Sequence, residues 1–166
     1  IIGFGRIGQE VAKIALGVGM RVIAADKFME DATINVELFN GQSISVDIKT
    51  QSQESLLAEA DFISLHVPAQ KDYVIGATEF SQMKNGAALV NAARGGVIDE
   101  VELLKNLESG KLAFAGLDTF EEEPKPAMQV LMHPKVSLTP HIGAATGEAQ
   151  DRIGEELAQQ IHEILA

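Results

Sequence analysis

The amino-acid sequence predicts an α/β domain of the doubly wound, Rossmann type, a parallel sheet covered by helices on both faces. Two observations carry that expectation. Short apolar runs alternate with amphipathic stretches along the whole chain, which is how strand–helix–strand units read. A glycine triplet, Gly3, Gly5 and Gly8, follows the apolar pair Ile1-Ile2 and opens a helical stretch. The next apolar run then ends on the acidic Asp26.

Taken in order, Ile1-Ile2 reads as the tail of a strand, well under the roughly 5–6 residues a strand averages. The sequence is therefore expected to be part of a longer one. Ile7, Val11, Ile14 and Ala15 recur at steps of three and four, predicting a helix that buries this face and stops at Gly17 and Gly19. Residues 20–25 predict a short strand ending at Asp26. No helical pattern exists over 27–50. There Ile34, Val36 and Leu38 alternate, Asn40-Gly41 supplies a turn, and Ile44, Val46 and Ile48 alternate again, predicting a β-hairpin. Residues 52–60 predict a helix, and 62–67 a buried strand stopped by Pro68. A short helix is expected over 78–83, a strand over 87–92, and a helix that starts at an Asp99 cap and stops at Gly110. Residues 112–119 form the next strand, 121–126 a rigid polar loop, 136–139 a short strand and 140–143 a turn. A helix from Thr146 closes the sequence.

Composition narrows the function classes. The 166 residues suit one domain and a sizeable core. Thirteen Lys and Arg stand against 24 Asp and Glu, a formal charge of −11 that repels nucleic-acid phosphate and anionic lipid. No apolar run approaches the roughly 18 residues of a membrane helix, and the opening residues do not read as a cationic, hydrophobic leader. Cysteine is absent, which excludes disulfides and thiolate metal sites and fits a reducing, cytoplasmic setting.

The glycine pattern has a specific physical use. Gly3 permits a tight turn, Gly5 lets backbone approach a pyrophosphate, and Gly8 lets the helix lie close to the strand. The helix N-terminus then offers unpaired N–H groups to phosphate. Asp26 is placed to accept from the adenosine ribose hydroxyls, which favours NAD over NADP. Arg94 lies in a glycine-flanked loop at the carboxyl edge, where a planar cationic fork can hold a carboxylate; a solvated surface charge is the plainer reading. His141 sits in a turn between Pro140 and Ile142-Gly143 and is a candidate base near neutral pH. The run Glu121-Glu122-Glu123 reads by itself as a solvated acidic stretch. His66, His133 and His162 read as strand-end, loop and helix-surface residues, and no metal-ligand spacing is found.

Several stretches in fixed order carry a family likeness: Gly3-Phe4-Gly5-Arg6-Ile7-Gly8, Leu65-His66-Val67-Pro68, Asn91-Ala92-Ala93-Arg94-Gly95-Gly96-Val97-Ile98-Asp99, Gly116-Leu117-Asp118-Thr119-Phe120, Glu123-Pro124 and Pro140-His141-Ile142-Gly143-Ala144. Together they resemble the D-isomer-specific 2-hydroxyacid dehydrogenases. The resemblance implies NAD as cofactor and a small 2-hydroxy or 2-oxo acid as substrate, 3-phosphoglycerate first and glyoxylate, hydroxypyruvate or lactate as alternatives. It implies that His141 is the acid–base group, Glu123 (with Glu122 the neighbouring alternative) its partner, and Arg94 the substrate clamp. It places Gly3, Gly5, Arg6, Ile7, Gly8, Asp26, Val67, Pro68, Ala92, Ala93, Arg94, Asp118, His141, Gly143 and Ala144 against the cofactor, with Asp118 at the nicotinamide carboxamide. Val67 and Thr119 depart from the threonine and valine the family often has there. The resemblance further implies a homodimer. It makes residues 1–166 a single dinucleotide-binding domain of a larger two-domain enzyme, with 145–166 a helix leading toward a substrate domain. A non-catalytic NAD-sensing module is the second class.

Overall fold

The computed structural model describes residues 1–165. The elements in chain order are α1 (Arg6–Gly17), a hairpin of β1 (Asp31–Glu37) and β2 (Ser43–Lys49), α2 (Gln53–Glu59), β3 (Phe62–Leu65), α3 (Ala77–Gln82), β4 (Ala87–Asn91), α4 (Glu100–Glu108), β5 (Leu112–Leu117), α5 (Met128–Leu131), β6 (Val136–Leu138) and α6 (Gly147–Leu165). Caps fix several starts. Ser52 Oγ accepts from the Ser55 N–H at 3.2 Å, Asp99 Oδ1 from Glu102 N–H at 3.0 Å, and Thr146 Oγ1 from Ala149 N–H at 3.2 Å.

β3, β4, β5 and β6 lie parallel in that order. Parallel bridges Ile2↔Leu65, Ile2↔Ala25 and Ala24↔Thr50 continue the sheet toward the hairpin. The spatial order is thus hairpin, 24–25, 1–2, β3, β4, β5, β6, with the reversal between Ile2 and β3 that defines a doubly wound sheet. One register row crosses it: Ala25, Ile2, Leu65, Asn91, Leu117, Leu138. The residues just beyond that row, at the carboxyl ends of the strands, are those that build the site.

The core lies on one face. Ile63, Leu65, Leu89, Ala115 and Leu117 bury against Leu56, Leu57, Phe80, Leu103 and Leu107 of α2, α3 and α4. A smaller cluster of Ile1, Phe4, Ala12, Ala24, Ile34 and Ile48 ties α1 to the hairpin.

Four expectations are corrected. Residues 20–25 bridge their neighbours only through Ala24 and Ala25, with Ile23 O accepting from Ile1 N, Ala25 N–H donating to Ile1 O and Gly3 N–H to Ala25 O, each at 2.9 Å. α1 buries Gly8 and Ala12, whereas Ile7 and Ile14 are 66% and 67% exposed. The small residues win because the helix lies directly on the Gly3 carbonyl. The second face of the sheet is covered only in part, by α1 over Ile1 and Ala24. Phe62, Val90 and Phe114 share an open face over β3–β5, with the two phenylalanine rings 6.2 Å apart. A short helix, α5, follows the polar loop where none was expected. α6 matches its expected start but buries no residue; Ile153, Leu157, Ile161 and Ile164 are exposed along it.

Candidate active site

The first part of the site is a cradle at the switch point. Gly3 has φ +89°, and a Cβ there would collide with the His66 carbonyl and the Val67 side chain. A Cβ at Gly8 would collide with the Gly3 carbonyl, while one at Gly5 would meet open space. Gly5 caps α1 without any side-chain hydrogen bond, so the first turn of the helix, Arg6-Ile7-Gly8, presents its N–H groups outward. The Arg6 guanidinium turns away to Glu156 of α6, with contacts of 2.7 and 3.0 Å. Any part Arg6 takes in holding a phosphate is therefore through its backbone. Val67, half-buried, borders the same loop, and Pro68 beside it in sequence is exposed.

Asp26 locks this cradle. Its Oδ2 accepts from Phe4 N–H at 2.6 Å, and its Oδ1 from Phe28 and Met29 N–H at 2.8 and 3.1 Å. Burial alone pushes the carboxyl up, but the three backbone donors outweigh it and hold the pKa below the usual value. The group is an anion at neutral pH. A carboxylate offers about four lone-pair sites; three are taken, which leaves one on Oδ2 for a ribose hydroxyl. The cradle fits a dinucleotide without a 2′-phosphate.

The second part gathers at the ends of β4, β5 and β6. His141 Nδ1 and Glu123 Oε2 are 2.7 Å apart, and Glu123 Oε1 accepts from Phe120 N–H at 3.0 Å. The His141 contact and the Phe120 N–H together hold the Glu123 carboxyl below its usual pKa. Neither Glu121 nor Glu122 touches the ring; the glutamate before proline does. His141 has φ +55°, a left-handed conformation costly for a side chain larger than glycine. Asp118 holds it there. Its Oδ1 accepts from Thr139 Oγ1 at 2.6 Å and Ile142 N–H at 2.9 Å, and its Oδ2 from Gly143 N–H at 2.9 Å. Burial works against the charge, but these donors keep the Asp118 carboxyl ionised below its usual pKa. Asp118 is not a local turn cap; it grips a turn from the neighbouring strand. An open cavity of about 460 Å³ adjoins the pair, lined by Phe120, Glu123, Pro124, Pro126, Leu131, Leu138, Thr139, Pro140 and His141.

Arg94 is exposed on the loop after β4, with Nη1 donating to the Ala93 carbonyl at 2.6 Å. Buried Asn91 shapes that loop: its Nδ2 donates to Arg94 O at 2.8 Å and its Oδ1 accepts from Ala93 N–H at 3.1 Å. Gly95 lies so tightly on the Phe120 carbonyl that no Cβ fits, and Gly143 faces the Ala92 carbonyl. The Arg94 loop therefore abuts both the Glu123 loop and the His141 turn. Ala144 is exposed just beyond. Asn91 and Thr139 received no role from sequence. The signal for Asn91 was a polar residue closing a buried apolar strand.

The family described as D-isomer specific 2-hydroxyacid dehydrogenase, NAD binding domain, matches residues 1–143. The chain belongs to that family. A hydroxypyruvate reductase from Thermotoga maritima is 45% identical over 97% of the chain and 50% of its own length. A chloroplastic D-3-phosphoglycerate dehydrogenase from Arabidopsis thaliana is 40% identical over 97% of the chain and 25% of its own length. The solved structure of a D-2-hydroxyisocaproate dehydrogenase superposes with a TM-score of 0.80 at 31% identity, covering 99% of this chain and 52% of that one. This domain thus spans between about a quarter and about half of the length of these relatives. Its cofactor is NAD, in keeping with the family and with the Asp26 cradle. The relatives carry different substrate names, so 3-phosphoglycerate is not singled out.

The remaining histidines lie apart. His66 Nε2 sits 2.8 Å from Ser64 Oγ, and burial lowers its pKa; His133 Nδ1 accepts from Lys135 N–H at 3.2 Å; His162 is exposed on α6. Among the described residues, no helix is long and apolar enough to cross a membrane.

Proposed function

We propose that the protein carrying this domain interconverts a D-2-hydroxy acid and its 2-oxo acid, with Arg94, Glu123 and His141 as its working groups. The single observation behind the reading is the 2.7 Å contact between His141 and Glu123 beside a dinucleotide cradle. Bound NAD supplies the hydride acceptor in one direction and, reduced, the donor in the other. His141 keeps Nδ1 toward Glu123, which leaves Nε2 to take the proton of the substrate hydroxyl or to return it to the oxo oxygen. Glu123 fixes the tautomer and stabilises the protonated ring. Arg94 offers its fork to the substrate carboxylate. Asp118 keeps the histidine turn in place and retains one acceptor site, in line with a carboxamide contact.

A sensing module that never turns over needs no acid–base pair, so the pair favours the enzyme. We also propose that the domain is one of two in its protein, with α6 leading toward the second, and that copies pair. Absence of cysteine supports a reducing, cytoplasmic setting. The substrate is a compact 2-oxo acid, with 3-phosphohydroxypyruvate and hydroxypyruvate the first candidates. The test is oxidation of NADH by the full-length protein against those two compounds, glyoxylate and pyruvate, with chiral analysis of every product except glycolate, which has no stereocentre. The D-isomer from at least one is expected. An L-product, or no NADH oxidation with any of the four, overturns the reading.

A further inference from the structure

Two glutamates that the mechanism does not use exchange bonds across the fold. Glu100 N–H donates to Glu121 Oε1 at 2.9 Å, and Glu121 N–H donates to Glu100 Oε1 at 2.8 Å. Each carboxylate thus caps the other's backbone, joining the first residue of α4 to the loop that follows β5. Glu100 is buried, 7% exposed, with no cation in its hydrogen bonds. The groups facing it are all acidic or neutral: Glu121, Glu122, Asp99 nearby and the Tyr73 hydroxyl. Burying a carboxylate among like charges is costly. One backbone donor, the Glu121 N–H, bonds it, and burial together with the neighbouring acids still holds its carboxyl above the usual pKa.

The clasp sits where it can act on the acid–base pair. Phe120, next to Glu121, donates its N–H to Glu123, and its carbonyl lies against Gly95, next to Arg94. We propose that Glu100 and Glu121 are positioning residues, whose clasp sets the Phe120–Glu123 loop so that Glu123 meets His141 and Arg94 is held alongside. This rests on the reading of Glu123 and His141 as the acid–base pair. The loop carries three glutamates and two prolines in six residues, Glu121 to Pro126, and has no strand or helix of its own over that span. The clasp supplies the order that such a loop lacks.

Charge and position predict opposite signs, which makes the proposal testable. Glu123 titrates below its usual range because His141 and the Phe120 N–H both bond it. Removing the Glu121 charge by itself takes a like charge away and lowers Glu123 further or leaves it alone. Releasing the loop loses the two bonds and raises it. The experiment follows the Glu123 side-chain carboxyl by carbon-13 NMR against pH in this chain, in wild type, Glu121→Gln, Glu121→Ala and His141→Ala. Glutamine still accepts the Glu100 N–H; alanine cannot. The expected result is an upward shift of about 1 pH unit in Glu121→Ala, a similar rise in His141→Ala, and no rise in Glu121→Gln. A Glu121→Ala midpoint equal to or below wild type overturns the proposal, as does an equal rise in both Glu121 variants. If His141→Ala leaves Glu123 unmoved, the acid–base pair itself fails, and that outcome is distinct. Should Glu121→Ala not fold, amide exchange in wild type decides. Protected Glu100 and Glu121 amides support the clasp, and both exchanging at open-loop rates overturns it.

Discussion

Asp26 and Asp118 do similar work at two places along one register row, each holding a loop through three donors while keeping one acceptor site free. Both fold with a carboxyl below its ordinary pKa. Each therefore adds stability that is fully present above the unfolded value, about 3.9, and is lost as pH falls through the lower folded value. Asp118→Asn sets an amide N–H₂ against donors and leaves at least one of Thr139, Ile142 and Gly143 unpaired. The expected cost is about 1–3 kcal/mol in urea unfolding at pH 7, with a smaller difference near pH 3. An equal difference at both pH values would remove the charge from the explanation. Glu123→Gln tests the acid–base pair in the full-length enzyme. Reduction needs the protonated ring, and loss of the carboxylate disfavours that form. The alkaline limb of kcat/KM for reduction should move to lower pH, and an unmoved limb would uncouple Glu123 from His141.

Elements here are held by close backbone approach more than by bulk. α1 rests on the Gly3 carbonyl through Gly8, so Gly8→Ala should cost about 1–3 kcal/mol by overpacking. It should also abolish NAD binding, read by thermal melting with and without cofactor. α6 is the opposite case. It buries nothing and meets the cradle through the exposed Arg6–Glu156 pair, a contact of little weight. A chain ending at Thr146 should melt within about 2 °C of the whole, and a large drop would show that α6 contributes to the core. These cases mark what sequence made legible. Hairpin, α2, α4 and the parallel strands followed from alternation, caps and Gly or Pro stops, all local signals. The buried face of α1 did not, because periodicity weighs hydrophobicity and selected Ile7 and Ile14, whereas contact with the sheet demanded small residues. Within the site, Asp26, Glu123 and His141 could be placed from motifs. The bonds from Asp118 to the His141 turn, and the clasp between residues 100 and 121, span more than twenty positions and leave no local trace.

At the scale of the whole molecule, six strand ends on one level bring Asp26, the glycine loop, the Arg94 loop, Asp118 and the His141 turn to a single edge. The cofactor cradle and the proposed acid–base pair both lie within these residues, and the proposal gives the far wall of the substrate cleft to a second domain. Orientation and water exclusion supply much of a dehydrogenase's rate. The 166-residue chain is expected to bind NAD yet to oxidise NADH with 2-oxo acids at a rate negligible beside the full-length enzyme. Rates near the full-length value would mean that this domain builds its own substrate site. The cradle itself is tested most directly by calorimetric titration of the chain with NAD and with NADP. Asp26, ionised and already bonded by three N–H groups, has room for one ribose hydroxyl and repels a 2′-phosphate. NAD should bind at least about tenfold tighter than NADP, a difference of about 1.4 kcal/mol. Equal affinity for the two, or no heat of binding with NAD, would contradict the account.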